Sequence, residues 1–128
     1  MIQSCVLSLL VIVLGATAGV DLSGRWTFSM KPGLRGTPEE VVECTVTQDH
    51  NRLSIKCGNG TSAMTGELQG RKATFYNPPI KTNGKSSVLT FTGQVDRAGT
   101  TLIGTWRFVI LSGAEIRHGN FTARRLSK

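Results

Sequence analysis

The sequence predicts an all-β domain: a small antiparallel up-and-down barrel of about eight strands. After an apolar leader, apolar residues alternate with polar ones, as they do in strands with one buried face. Many of the 15 glycines and four prolines of this 128-residue chain fall between these alternating runs, where turns are expected. No run has the 3.6-residue apolar period of an amphipathic helix. A barrel in which the last strand pairs with the first leaves no free sheet edge, and a two-sheet sandwich is the alternative.

The first 18 residues are expected to form a signal peptide, which leaves residues 19–128 as a single β-barrel domain. Residues 6–13 are almost entirely apolar, and the small-x-small triplet Ala16-Thr17-Ala18 follows them. The apolar run of about a dozen residues is short for a spanning helix, which needs roughly 20, although an uncleaved anchor is the alternative. We therefore expect a secreted or periplasmic protein with no membrane span after cleavage.

The formal net charge of +7 belongs entirely to the predicted mature domain, because no charged residue precedes Asp21. A basic surface attracts acidic partners. Binding of nucleic acid would favour basic residues interleaved with exposed aromatic residues. Here the basic residues are spread along the chain, and they are adjacent only in the pairs Arg71-Lys72 and Arg124-Arg125. We expect a solvated basic surface and no specific nucleic-acid partner.

Turns divide the mature chain into eight predicted strands. Their ranges are 24–30, 41–48, 53–57, 63–69, 72–76, 87–96, 101–109 and 120–125. Residues 77–85 and 112–119 are expected to be surface loops, because the first holds two prolines and neither shows a strand period. In the longest hairpin, Phe91 faces Trp106 and Gly93 faces Gly104.

The second and third strands have a register that three features specify together. With His50 and Asn51 as the turn, Val46 faces Ile55 and Cys44 faces Cys57, and the apolar residues of both strands lie on one side. Residues directly opposite each other bring their Cβ atoms close to disulfide distance. The third cysteine, Cys5, lies in the leader.

A disulfide between Cys44 and Cys57 is therefore predicted, because disulfides persist in exported proteins. Two free thiols in the core are the alternative. A metal site is not expected, since two cysteines and two distant histidines, His50 and His118, provide too few ligands for zinc.

The run Gly24-Arg25-Trp26 resembles the Gly-x-Trp signature that opens the first strand of calycins, the superfamily of lipocalins and avidins. This resemblance implies a structural role for Gly24 and Trp26, with Trp26 packed across the closed end of the barrel. It also implies that a basic residue of the last strand, Arg124 or Arg125, stacks on Trp26 as a cation–π contact. The run from Thr90 to Asp96, leading to Trp106, is similar to avidins in particular.

The chain also departs from the patterns of these families. The Thr-Asp-Tyr motif of typical lipocalins is absent, and Phe28 stands where the biotin site of avidins needs an Asn. Specific biotin binding is therefore not expected. A small exported barrel with a leading Trp and a disulfide is also similar to bacterial inhibitors of secreted metalloproteases, which present an N-terminal arm to the enzyme.

Catalysis is not expected, because no set of titratable or nucleophilic residues has the spacing of a catalytic site. The sequence also indicates no cofactor. We instead expect a small, mainly apolar ligand at the open end of the barrel, away from Trp26. The candidate ligand-binding residues are Phe28, Met30, Phe75, Phe91, Trp106 and Phe108. A filled interior is the structural alternative.

A protein-binding module, such as a protease inhibitor, is the alternative function. The seventh predicted strand, from Thr101 to Val109, carries apolar residues on both faces, and Ile103 and Val109 are expected to point outward. An exposed apolar row can mark a contact surface, so these two residues are candidates for an oligomer interface.

Overall fold

The computed structural model describes residues 19–34, 36–58, 63–82, 84–110 and 115–128. Nine strands cover most of this part of the chain. They are β1 (Gly24–Lys31), β2 (Glu40–Asp49), β3 (Arg52–Cys57), β4 (Ala63–Gln69), β5 (Lys72–Tyr76), β6 (Ile80–Thr82), β7 (Lys85–Val95), β8 (Thr101–Ile110) and β9 (Glu115–Ser127). The described part of the chain contains no helix that could cross a membrane.

Eight of these strands form a closed antiparallel barrel, as the sequence predicts. Each pairs with its neighbours in the order β1-β2-β3-β4-β5-β7-β8-β9, and β9 returns to pair with β1. The sheet therefore has no free edge around the barrel, which removes the open strand edges that promote aggregation. β6 lies outside this closure and pairs only with the first residues of β7.

The predicted hairpin registers are confirmed. Cys44 pairs with Cys57 and Val46 with Ile55 in the β2–β3 hairpin, whose turn is His50-Asn51. His50 has a φ of 60°, the left-handed conformation that tight hairpin turns require. In the β7–β8 hairpin, Phe91 pairs with Trp106 and Gly93 with Gly104.

Two predicted loops, 77–85 and 112–119, were wrong in part, and residues 112–114 of the second lie outside the described residues. Residues 77–85 contain the strand β6, which is three residues long and therefore too short to show a period of two in the sequence. The last strand begins at Glu115 rather than at Asn120. A bulge between Phe108 and Val109 shifts its pairing with β8, and Gly119 interrupts its apolar alternation, so its first residues read as a polar loop.

Close contact between strands at the bend of the sheet requires glycine at Gly104. A Cβ atom at this position would overlap the Thr92 carbonyl oxygen and come within 2.5 Å of the Gly93 Cα. Gly104 and Gly93 are directly paired, so both strands lose their inward side chains at the same level. Phe121 pairs with Gly104 and its ring occupies this space, with its Cζ 3.0 Å from where a Gly93 Cβ would lie.

Candidate functional site

The two ends of the barrel differ in how they are covered. At one end, which we call the closed end, residues 19–23 precede β1 and Leu22 is buried against the core. At the other, which we call the far end, β1, β3, β5 and β8 finish and the segment 32–39 connects β1 to β2. The far end is the one opposite Trp26, where the sequence places the ligand.

Trp26 is part of the closed end and is buried. Its Nε1 donates a hydrogen bond of 2.8 Å to the Leu22 carbonyl oxygen, which holds the segment before β1 across the ring. The Arg125 guanidinium lies 5.0 Å from the centre of the Trp26 ring, in the geometry of a cation–π contact. Of the two arginines that the resemblance nominates, Arg125 lies over the ring, whereas Arg124 is exposed. Gly24 has a φ of 138° and sits against the Ser127 carbonyl.

Polar side chains hold the segment 19–23 at the closed end through hydrogen bonds. Arg125 donates to the carbonyl oxygens of Asp21, Ser23 and Gly99, the last at 3.0 Å. The Gln48 amide donates to the Val20 carbonyl at 3.0 Å and accepts from the Leu22 N–H at 2.8 Å. These contacts hold residues 20–23 in place at the closed end.

Asp21 adds a local turn to the same segment. Its carboxylate accepts a hydrogen bond of 3.0 Å from the Ser23 N–H. This backbone hydrogen bond is the main reason that the pKa of Asp21 lies below its ordinary value, and the positive charge of Arg125 acts in the same direction.

Four phenylalanine rings fill the middle of the barrel. The ring centres of Phe75 and Phe91 are 5.1 Å apart, those of Phe91 and Phe121 are 5.2 Å apart, and Phe28 lies 5.9 Å from both Phe75 and Phe121. These are the separations of aromatic rings in direct contact. Three of the six candidate ligand-binding residues, Phe28, Phe75 and Phe91, therefore pack against one another.

The apolar side chains at the far end are packed less completely. Six residues there are partly buried and lie against the core: Leu34, Val42, Cys57, Met64, Leu89 and Phe108. Phe108 is the one candidate ligand-binding residue in this group. Met30 and Trp106 are fully buried and precede the rim of the barrel on β1 and β8.

Two buried N–H groups on the inner face of the far end have no hydrogen-bond partner among the described residues. They are Nε1 of Trp106 and Nε of Arg117. Arg117 pairs directly with Phe108 and therefore shares its inward face, and Gly119 pairs with Trp106. A Cβ atom at Gly119 would lie only 2.7 Å from the Trp106 Nε1, so glycine allows the indole to lie against β9. Gly36, in the segment between β1 and β2, lies over the Arg117 guanidinium, whose Nη1 is 3.3 Å from where a Gly36 Cβ would be.

The outer wall of the barrel exposes two large apolar side chains, Val41 and Ile103. Val41 and Ile103 are each 59% exposed, whereas Val109 is only half exposed. Ser29 and Thr122 lie between Val41 and Ile103 across the paired strands. An interface between copies through Ile103 and Val109 stays a prediction.

Titratable side chains form few clusters in the described part of the chain. His50 contacts Asp49 at 2.8 Å, with both side chains almost fully exposed, and Arg25 pairs with Glu43 at 2.8 Å. No three His, Cys, Asp or Glu residues of the described ranges are grouped closely enough to hold a metal ion.

Sequence reasoning missed Arg117 and Leu34. The sequence predicts a polar loop at Arg117, whereas the structure places it in β9, where its regular pairing with Phe108 of β8 turns it inward. Leu34 lies between Gly33 and Gly36 in a segment without periodicity. The signal that could have found Arg117 is its alternation with Gly119, Phe121 and Ala123 on the inward face of β9.

Comparisons with known protein families and with curated protein sequences found no match to this chain.

Proposed function

We propose that residues 19–128 form an exported, calycin-like barrel that binds a small, mainly apolar ligand at the far end. The observation that carries this proposal is the contrast between the two ends. The closed end is fastened by Arg125 and Gln48, whereas the far end has six half-buried apolar side chains. Partly exposed apolar surface in a concave setting is typical of small-molecule sites.

The phenylalanine rings in the middle of the barrel limit how deeply such a ligand can bind. An eight-stranded barrel holds either its own side chains or one small ligand. Because the four phenylalanine rings occupy the middle, the ligand would contact the rim residues Leu34, Met64, Leu89 and Phe108 and not the ring cluster. The proposed site is therefore a shallow cup.

The calycin assignment is supported by the position of Trp26 and Arg125. The Gly-x-Trp run opens β1, and a basic residue of the last strand lies over the Trp ring. Export is supported by the Cys44–Cys57 disulfide, whose Cα atoms are 4.0 Å apart, because such bonds persist in oxidising compartments.

The test is a titration with N-phenyl-1-naphthylamine, a neutral apolar dye that fluoresces in apolar sites. We expect saturable binding that the Leu34→Asp substitution weakens at least tenfold, because a carboxylate would be introduced into an apolar contact. Ile103→Asp is the matched control on the outer wall, and it should leave binding unchanged. No saturable binding, or equal losses in the two variants, would count against a ligand site at the far end.

A protein-binding module is the second candidate, and the exposed pair Val41 and Ile103 favours it. The route used by protease inhibitors with an N-terminal arm is less well supported. Residues 20–23 are held to the closed end by Gln48 and Arg125, so this part of the chain does not form a free arm.

A further inference from the structure

We infer that the ligand of the far end carries an anionic group, a carboxylate in the simplest case, which Trp106 and Arg117 bind through their inward N–H groups. This inference rests on the proposed function and adds the chemistry of the ligand's polar end. It follows from two buried nitrogen atoms that have no acceptor among the described residues.

Trp106 provides the first donor. An indole nitrogen can only donate a hydrogen bond, and a buried Trp usually has an acceptor for it. The Trp106 side chain is 0% exposed and its Nε1 is unpartnered among the described residues. Leaving a buried donor unpaired is unfavourable, so an acceptor at this position would be stabilising. Trp26 shows the usual arrangement, because its Nε1 donates to the Leu22 carbonyl.

Arg117 provides the second donor and a positive charge. Its inward neighbours across the β8–β9 pair are Phe108 and, one pair further, Trp106 and Gly119. Its Nε is buried, and neither of the ion pairs found between described residues involves it. A partly buried guanidinium favours an anionic partner, and its planar donors match the two oxygen atoms of a carboxylate.

The pairing of β8 with β9 brings the two donors to the same part of the inner face. Trp106 lies opposite Gly119, and Arg117 is two residues away on the same inward face of β9, a distance of about 7 Å along a strand. Gly119 has no side chain, so the indole nitrogen lies directly against β9 beside Arg117. A carboxylate between them could accept from both, while an apolar tail would pack on Phe108 and Leu89.

The net charge of the chain acts in the same direction. With 15 basic and eight acidic residues, the protein attracts anions over distances of the Debye length. This general attraction supplies no specificity. Discrimination between an anionic and a neutral ligand must come from the two inward donors.

The experiment compares sodium decanoate with decanol, two ligands with the same tail, by isothermal titration calorimetry with the disulfide-bonded protein. We expect decanoate to bind at least tenfold more tightly than decanol, because a hydrogen bond to a charged group contributes about 1.5–3 kcal/mol. Arg117→Met should remove this preference, and Trp106→Phe, which keeps a ring without the N–H, should reduce decanoate affinity about fivefold. Arg71→Met, in the exposed turn before β5, lowers the net charge equally and should retain the preference.

The outcomes separate this inference from the function on which it rests. If decanoate and decanol bind equally, or if Arg71→Met lowers decanoate affinity as much as Arg117→Met, the anionic group is not recognised as inferred while the apolar site stands. If neither ligand binds, the proposed function itself is overturned. Arg117 is only half-buried, so its variant tests the inference even if Trp106→Phe fails to fold.

Discussion

Arg125 joins three segments of the chain at the closed end of the barrel. From β9 it reaches the Asp21 and Ser23 carbonyls before β1, the Gly99 carbonyl between β7 and β8, and the face of the Trp26 ring. The planar guanidinium can make all of these contacts at once, which an ammonium group cannot. One side chain therefore fixes the beginning, the end and a distant turn of the domain.

Substitution of Arg125 by Lys should lower the free energy of unfolding by about 1–3 kcal/mol, because the charge remains but most of the hydrogen bonds are lost. Urea denaturation followed by tryptophan fluorescence measures this change. Arg124→Lys, on the exposed neighbouring residue, is the control and should have little effect. Equal effects of the two substitutions would contradict the role assigned to Arg125.

Asp96 makes the stability of the β7–β8 turn depend on pH. Its carboxylate accepts hydrogen bonds from the Thr100 N–H at 2.8 Å and the Thr101 N–H at 3.2 Å. The Thr100 backbone hydrogen bond is the main cause that lowers the pKa of Asp96 in the folded state from its ordinary value of 3.8. This contribution is fully present above pH 3.8 and is lost as the pH falls through the lowered pKa.

The Asp96→Asn variant should therefore melt at a lower temperature than the unmodified protein at pH 7. The difference between the two melting temperatures should become smaller at a pH below the lowered pKa, where Asp96 becomes protonated. Thermal denaturation followed by circular dichroism at the two pH values measures this difference. A constant difference would show that the ionised carboxylate does not stabilise the turn.

At the scale of the strands, the hairpins could be predicted because several local signals agree. The β2–β3 register was fixed by a two-residue turn, by alternation and by two cysteines, and the structure has the same pairs. A slip of one residue would have reversed the faces of both strands. Local sequence therefore contains enough information wherever a turn is short and both strands alternate.

Features that depend on distant pairing could not be predicted in the same way. The inward direction of Arg117 follows from its pairing with Phe108 of β8, and the short strand β6 pairs with the first residues of β7. The choice of Arg125 over Arg124 likewise depends on the pairing of Trp26 with Arg125 across β1 and β9. The positions of Arg117 and Arg125 were therefore harder to predict than the hairpin registers.

The disulfide should stabilise the β2–β3 hairpin and with it the barrel. Cys44 and Cys57 are separated by 13 residues, and closing a loop of this size contributes roughly 2–3 kcal/mol. The double substitution to Ala should lower the free energy of unfolding by at least this amount, measured by urea denaturation. Adding a reductant should destabilise the unmodified protein and leave the variant unchanged. If the reductant destabilises both proteins, its effect does not come from reduction of the Cys44–Cys57 disulfide.

Gly104 should be far less tolerant of substitution than the glycine of an open turn. A Cβ atom at Gly104 would overlap the carbonyl of the paired strand, whereas nothing lies within 4 Å of a Cβ at Gly70. Gly70→Ala should cost about 1 kcal/mol, because its φ of 63° disfavours other residues. Gly104→Ala should cost several times more or prevent folding. Similar melting temperatures for the two variants would contradict the close strand contact.

At the scale of the whole molecule, the packing of the interior differs between the closed end, the middle and the far end. Hydrogen bonds from Arg125 hold the closed end, four phenylalanine rings fill the middle, and six half-buried apolar residues and the two inward donors lie at the far end. The sequence predicted the barrel and its closed end. The packing of the phenylalanine rings was not predictable from it, because ring packing depends on how all eight strands come together.

The most direct test of this account is to map ligand contact by NMR, following amide chemical shifts of the ¹⁵N-labelled domain during titration with sodium decanoate. We predict saturable shifts concentrated at the far end, at Leu34, Leu89, Phe108 and Arg117. The amides of Leu22 and Gln48 at the closed end should remain unchanged. Shifts centred on the closed end or on the outer wall around Ile103, or no saturable shifts at all, would contradict it.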